Sequence, residues 1–351
     1  MNVSPKPIGA WLGAIAVAAF AVTSSCTTTS PDEVASVVAD PTTPIIGRWA
    51  LTISNNAANN AGWLEVKREN GALVGSMLWG GGSVLTLSDL TIADGKLTAK
   101  RPRGPATKGK AQEILDTVTA TAAGDTIAGT LEARGGGKKG NSKTAFAGTR
   151  IPPLPPRPNL AKVKFGEPIT LFNGRDLTGW RSKDPSLRSA WRVENGALVN
   201  AVPKRAPGQE HERTANLRTE RDFEDFNLKL EVSVPAESNS GVYLRGIYEI
   251  QVFDSYGKPL DPHNMGALYS RITPRVAAEK PAGEWQTLDI TLVDRHLTVI
   301  LNGTNIIDNQ PVLGCTGGAM WSDESRPGPI YLQGDHGAVS YRNLVLRPVV
   351  K

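Results

Sequence analysis

The sequence predicts an all-β protein: a small antiparallel barrel or sandwich followed by a larger two-sheet sandwich. Three observations carry this expectation. No long stretch places apolar residues at helical spacing. Short alternating runs recur instead between Gly, Asn, Asp and Pro punctuation, with 36 Gly and 25 Pro among 351 residues. A proline-dense segment, IPPLPPRPNL, then divides the strand-bearing chain in two, because proline locks φ and makes a semi-rigid spacer. The length itself suits two domains with attachments.

Residues 1–26 read as a targeting segment. Lys6 precedes an apolar run from Ile8 to Val22, too short to span a bilayer comfortably, and the run ends in Thr-Ser-Ser-Cys26. Small residues before a cysteine resemble a bacterial lipoprotein signal, in which Cys26 becomes the lipidated first residue. The expectation is export, with a lipid anchor in a membrane facing the periplasm or the cell exterior. An ordinary secretory signal would keep the export. Residues 27–44, rich in Ser, Thr, Asp and Pro, read as a flexible tether. With Cys26 lipidated, Cys315 is the only thiol left and no intrachain disulfide can form. Cys315 sits in LGCTGGAM with no histidine nearby, which favours a buried small residue over a nucleophile.

Residues 45–151 carry the first set of strand runs, among them GRWALTIS, GWLEVKRENGALVGSMLWGGG and TAFAGTR. Asn70-Gly71, Asp94-Gly95 and Gly124-Asp125 mark hairpin corners. A lipocalin-like meander fits, with Trp49, Trp63 and Trp79 at its core or rim. The segment has no His and no Cys, so no catalysis is assigned to it; it reads as a binding or spacer module. The net charge of +5 comes largely from two Gly/Lys/Arg-rich patches, Lys100 to Lys110 and Arg134 to Lys143. Neither is interleaved with aromatics, so they read as solvated loops, and no nucleic-acid partner is expected.

Residues 152–160 form the linker and residues 161–351 the second unit. WRVENGALVN is strand, Asn195-Gly196 turn, strand. FEDFNLKLEVSV alternates, with Phe226, Leu228, Leu230, Val232 and Val234 on one face. EWQTLDITLVDRHLTVILNGTNIID supplies three strands turning at Asp294-Arg295 and Asn302-Gly303. PGPIYLQGDHGAVSYRNLVLRPV closes the unit. So many short alternating strands make a two-sheet antiparallel sandwich.

The segment NSGVYLRGIYEIQVFDSYG, from Asn239 to Gly257, is the most informative. Tyr243 and Arg245 share one strand face; Glu249 and Gln251 share one face; Val242, Leu244, Ile250 and Val252 point the other way. With Gly246, Ile247 and Tyr248 closing a hairpin, Arg245 should lie close to Glu249 across the ladder. A polar row over a core suits a carbohydrate-binding sheet. It suits equally a solvated face with an ordinary cross-strand ion pair.

The second unit resembles the 3-keto-disaccharide hydrolase family. The motifs are FNGRDLTGW, LRTERDFEDFNLKLEVSV, NSGVYLRG followed by YEIQVFDSYG, GEWQTLDITLVDRHLTVILNG, PGPIYLQGDHG and a terminal YRNLVLRPV, in the family's order from Ile169 to Val349. The resemblance implies a concanavalin A-like jelly-roll sandwich and action on glycosides whose ring carries a ketone at C3. The spacing Glu249-x-Gln251-x-x-Asp254 is also similar to the Glu-x-Asp-x-x-Glu strand of sandwich-fold β-glucanases. Here an amide replaces the middle acid, which argues against an ordinary two-carboxylate retaining mechanism.

Glu249 is the first candidate for a general base. Arg245 and His336, the latter in Gly-Asp-His-Gly, are candidates for stabilising an enolate or moving a proton, and Asp254 is a further catalytic candidate. Gln251, Gln333, Tyr243, Tyr269 and Arg271 are candidates for lining a sugar cleft. The four histidines, His211, His263, His296 and His336, have no zinc-like spacing, so no metal and no cofactor are expected. Sandwiches of this class often carry structural Ca²⁺, but no ligand pattern supports it. The leading expectation is an exported, membrane-tethered enzyme that cleaves 3-keto-glycosides or 3-keto-disaccharides by C2 deprotonation and β-elimination, followed by hydration. The alternatives are a non-catalytic carbohydrate-binding lipoprotein and a conventional glycan hydrolase.

Overall fold

The computed structural model of the chain describes residues 44–56, 59–103, 115–133, 141–202 and 213–350. The targeting segment with Cys26, most of the tether, His211 and much of both basic patches lie outside them. All described residues belong to one compact unit, Val37–Lys351.

Among the described residues, nine strands between Gly47 and Arg150 form one antiparallel sheet. Each pairs with its neighbour in sequence except at one place: Leu85–Thr86 and Ser88–Ala93 are the two edges of the sheet. The first strand, Gly47–Ile53, pairs with the last, Ser142–Arg150, so the meander rolls nearly closed. Asn70-Gly71, Asp94-Gly95, Asn195-Gly196 and Asn302-Gly303 take positive φ at both residues, as tight hairpin turns demand.

The alternation of this sheet serves two cores. Trp49, Leu51, Leu64, Val66 and Met77 point into the rolled sheet. Their neighbours Ala50, Trp63 and Leu78 point outward and are also buried, because they join the core cluster of the sandwich. The first unit is therefore packed on the second along an apolar face.

The sandwich consists of an eight-stranded and a five-stranded antiparallel sheet. The long central strands Phe226–Ser233, Trp285–Val293 and Val339–Pro348 anchor the larger sheet. Phe226, Leu228, Leu230, Val232 and Val234 are all buried, as their alternation predicts. The smaller sheet runs Trp180–Ser182, Leu217–Thr219, Tyr331–Leu332, Asn239–Leu244, Tyr248–Phe253. Val242, Leu244, Ile250 and Val252 face the larger sheet's apolar side within one cluster. Spatial neighbours distant in sequence, such as Tyr331–Leu332 beside Asn239–Leu244, give the jelly-roll crossings.

Tyr248–Phe253 is the last strand of the smaller sheet, and its outer edge is capped. Gln251 N–H donates to Ala267 O at 3.0 Å, Gly266 N–H to Gln251 O at 2.8 Å, and Tyr269 N–H to Glu249 O at 3.0 Å. Cys315 is fully buried in the sandwich core, and burial pushes its thiol pKa up to about 12, so it is a packing residue with no thiolate to offer.

Candidate active site

The hairpin that carries the informative motif turns one residue earlier than its sequence spacing suggests. Tyr243 pairs with Glu249 and Leu244 with Tyr248, so Arg245, at φ 54°, falls in the turn with Gly246. The expected cross-strand ion pair is absent for that reason. The Arg245 guanidinium is buried and donates instead to Glu324 O at 2.6 Å and Arg326 O at 2.6 Å. Arg245→Ala should therefore cost about 1–3 kcal/mol of stability by stranding buried carbonyls, with turnover of the folded enzyme within about threefold. Lost turnover at an unchanged melting temperature would return Arg245 to the chemistry.

A polar cleft of about 260 Å³ opens over the outer face of the smaller sheet. Glu249 and Tyr243 lie on its floor, with Gln333 on the strand side and Asp335 and His336 beyond it. Lys183, Asn216, Asn239, Tyr269 and the Gly317-Gly318 backbone also line it. Of the candidates from sequence, Glu249, Tyr243, Tyr269, Gln333 and His336 come together here.

The others do not. Gln251 is buried on the same strand but outside the cleft, and its Oε1 has no partner. Asp254 accepts from Glu237 N–H at 3.0 Å, a loop-fixing role. Arg271 is bonded to Leu313 O and to Cys315 O, and it stacks over the Trp63 ring at 4.3 Å. It holds the 313–316 segment and the first sheet together rather than facing sugar.

Several cleft residues had no signal in the sequence. Lys183 reaches Gly318 O at 3.4 Å and sits 5.1 Å over the Tyr331 ring; burial lowers its pKa. Asn59, Gly81 and Gly82 come from the first unit, read from sequence as a binding or spacer module, and supply part of the wall. Gly317 backs so closely on that wall that a Cβ there would stand 2.1 Å from Gly82 O. Such a contact links residues over 200 positions apart, beyond the reach of any local pattern.

Glu249 is 3% exposed, and desolvation raises its pKa from 4.5 to about 8. In the ionised form a hydrogen bond donated by Tyr243 and the His336 charge pull the other way without overcoming burial. Its side chain lies across Gly241, where a Cβ would stand 2.4 Å from Oε1, so only glycine leaves this room. The local hydrogen bonds agree with a neutral carboxyl. Tyr243 Oη lies 2.7 Å from Glu249 Oε2 and 2.6 Å from Gly317 O. One phenolic proton cannot serve two acceptors. The carbonyl can only accept, so Tyr243 donates to Gly317 and protonated Glu249 donates to Tyr243. The Tyr243 phenol keeps its proton, its own pKa being raised by burial.

At the far end, the His336 Nδ1 stands 2.7 Å from Asp335 Oδ1, and that hydrogen bond raises the histidine's pKa. Asn239 Oδ1 and Gln333 Oε1 line the cleft and are buried without partners, as acceptors awaiting hydroxyl groups would be. Among the described residues no group of three or more His, Cys, Asp and Glu is placed to hold a metal ion.

A buried carboxyl and two buried, unpartnered acceptor oxygens thus share one polar cleft on the outer face of the β-sandwich. The family model described as the 3-keto-alpha-glucoside-1,2-lyase-like domain matches residues 167–347, and the chain belongs to that family. Among solved structures, a Parabacteroides distasonis protein provisionally described as a glycosyl hydrolase is 28% identical, with 56% of this chain and 93% of that one covered and a TM-score of 0.41. A second such protein from the same organism is 24% identical, covering 52% and 100% at a TM-score of 0.37. A laminarinase from Flavobacterium sp. UMI-01 is 13% identical, covering 53% and 100% at a TM-score of 0.34. No curated protein matches the chain.

Proposed function

We propose that the protein cleaves 3-keto-glycosides by removing the proton at C2 and expelling the C1 substituent, with water adding later. The observation that carries this reading is Glu249: a buried carboxyl on the cleft floor, without a cationic partner in hydrogen-bond contact, whose pKa rises to about 8. A C3 ketone acidifies the C2 proton, and the base that takes it works best with a pKa near the working pH. Roughly a tenth of such a group is ionised at pH 7, and that fraction is a far stronger base than an ordinary carboxylate. Lys183, and His336 in its protonated form, line the cleft and suit the developing enolate oxygen. Electrons then move from the enolate to form C1=C2 as the C1–O bond breaks. No oxocarbenium ion forms, so no carboxylate pair is required. Export and lipid anchoring at Cys26 belong to the proposal on sequence grounds alone.

The test uses a 3-keto-glucoside carrying deuterium at C2, beside its unoxidised parent. Loss of label to solvent during ketone-dependent cleavage is the expected result. Cleavage of the parent at a similar rate points to a conventional hydrolase, in which Asp335 would act with Glu249. Cleavage of neither points to a binding protein. Ketone-dependent cleavage with the C2 label retained ends the elimination scheme.

A further inference from the structure

The cleft has two ends of different character, and the smaller sheet sets their order. Tyr331, Tyr243 and Glu249 follow one another across paired strands. The two tyrosine rings stack 3.9 Å apart, and Tyr243 Oη lies 2.7 Å from Glu249 Oε2. On the Tyr331 side stand Lys183, 5.1 Å over that ring, and Asp335 and His336, which follow the same strand. On the Glu249 side comes the 266–269 segment, bonded to the strand's outer edge, and then the first unit. This second end carries no charge: Tyr269, Asn59, Gly81 and Gly82 line it. The loop that brings the glycines is held from several sides. Gly80 N–H donates to Ala61 O at 3.0 Å, Ser83 Oγ lies 2.9 Å from His263 Nε2, and Val84 N–H donates to Ser270 Oγ at 2.8 Å. Gly80 and Gly82 take φ of 69° and 79°, which glycine adopts without strain. Gly81 and Gly82 are exposed. A Cβ on Gly82 would meet none of the described residues within 4 Å, and one on Gly81 only Asn59 Nδ2 at 3.8 Å. A fixed, bare strip of backbone thus faces the uncharged end of the cleft.

We propose, resting on the elimination reading above, that this strip, with Asn59 and Tyr269, is the subsite for the leaving group, so that the first unit selects what is removed from C1. The direction follows from the sugar ring, in which C2 lies between C3 and C1. With C2–H over Glu249 and the C3 oxygen turned to Lys183 and His336, the C1 substituent points across Glu249 to the opposite end. The groups there suit a neutral, hydroxylated ring. The half-buried Tyr269 presents an aromatic ring to the C–H groups of a sugar, and His263 braces it edge-on, with centroids 4.8 Å apart and planes at 78°. The Asn59 amide can donate to one hydroxyl and accept from another. Bare glycine backbone lets a ring approach more closely than a side chain would allow. The leaving group is therefore a second sugar in preference to a small alkyl group. The family match, residues 167–347, does not include the first unit, so this wall lies outside the family's shared domain.

The experiment compares two substrates with the same oxidised ring: methyl 3-keto-α-glucoside and a 3-keto-α-diglucoside whose second ring is intact glucose. It measures kcat/KM for each and follows C2–H exchange in heavy water. The unaltered enzyme should favour the diglucoside by about tenfold or more. Gly81→Leu fills the strip without backbone strain, since Gly81 is not in the left-handed region. It should lower the diglucoside-to-methyl ratio of kcat/KM by about tenfold or more. Asn59→Ala, a smaller change at a half-buried side chain, should lower the same ratio by about three- to tenfold. Equal losses on both substrates, or an unchanged ratio in either variant, overturn the subsite, while C2–H exchange and ketone-dependent cleavage by the unaltered enzyme uphold the elimination. Absence of C2–H exchange and of ketone dependence in the unaltered enzyme overturns both.

Discussion

Glu249→Gln is expected to lower turnover of a 3-keto-glycoside by roughly 10²-fold or more and, at the same time, to make the protein more stable in alkali. The glutamine keeps the shape and the neutral charge of the resting carboxyl. Its amide can still donate to Tyr243, which in turn donates to Gly317 O. It cannot accept the C2 proton. The stability gain follows from the direction of the pKa shift. Burial raises the folded-state pKa from 4.5 to about 8. Below pH 4.5 both states hold the proton and the group costs nothing. Between pH 4.5 and 8 the unfolded chain releases a proton that the folded chain keeps, so stability falls as pH rises. Above about pH 8 the loss is complete, on the order of a few kcal/mol. The glutamine variant escapes this loss. Melting curves of both proteins from pH 4 to 9 should therefore converge in acid and separate above pH 5. Curves that run parallel throughout would show that Glu249 ionises as freely folded as unfolded, and the case for a tuned base would fall. Turnover of the unaltered enzyme should rise with pH towards about 8 as the carboxylate appears.

Trp63→Ala is expected to be the most damaging single change in the first unit. The indole is 2% exposed, lies on the outward face of its sheet and belongs to the sandwich core. The Arg271 guanidinium stacks on it and braces Leu313 and Cys315 from the other side. Removing a buried Trp costs about 3–5 kcal/mol. Here the cavity opens between two sheets that meet across the cleft wall. The melting temperature should drop by several degrees, in line with that cost, and substrate affinity should fall because Gly81 and Gly82 lose their support. A stable variant with unchanged affinity would show the two units to be independent after all.

The strands were legible because burial repeats with the period of the pleat. The turns were legible because Asn-Gly and Asp-Gly tolerate positive φ, as the four paired corners do. Glu249, Tyr243, Tyr269, Gln333 and His336 were legible as polar or aromatic residues in otherwise apolar strands and loops. Arg245 was misplaced because strand alternation fixes a face only while the strand lasts, and the turn begins one residue earlier than its spacing suggests. Lys183 and Asn59 were missed because loops that converge in space carry no period. Arg271 shows a further limit: an arginine that stitches backbone carbonyls and one that grips a sugar look alike in sequence.

An uncovered strand at a sheet margin is where proteins recruit one another, by adding a strand from a second chain. The strand that bears Glu249 stands at such a margin, yet the outward groups of Glu249 and Gln251 are already taken, three by the 266–269 segment and the Glu249 amide by Thr316 Oγ1. A neighbouring molecule cannot dock there as an extra strand. Strand addition is left to the other margins, such as Trp180–Ser182 in the same sheet or Leu85–Thr86 and Ser88–Ala93 in the first. Closing the Glu249 margin with the chain's own backbone leaves the cleft free to meet small molecules in a crowded setting.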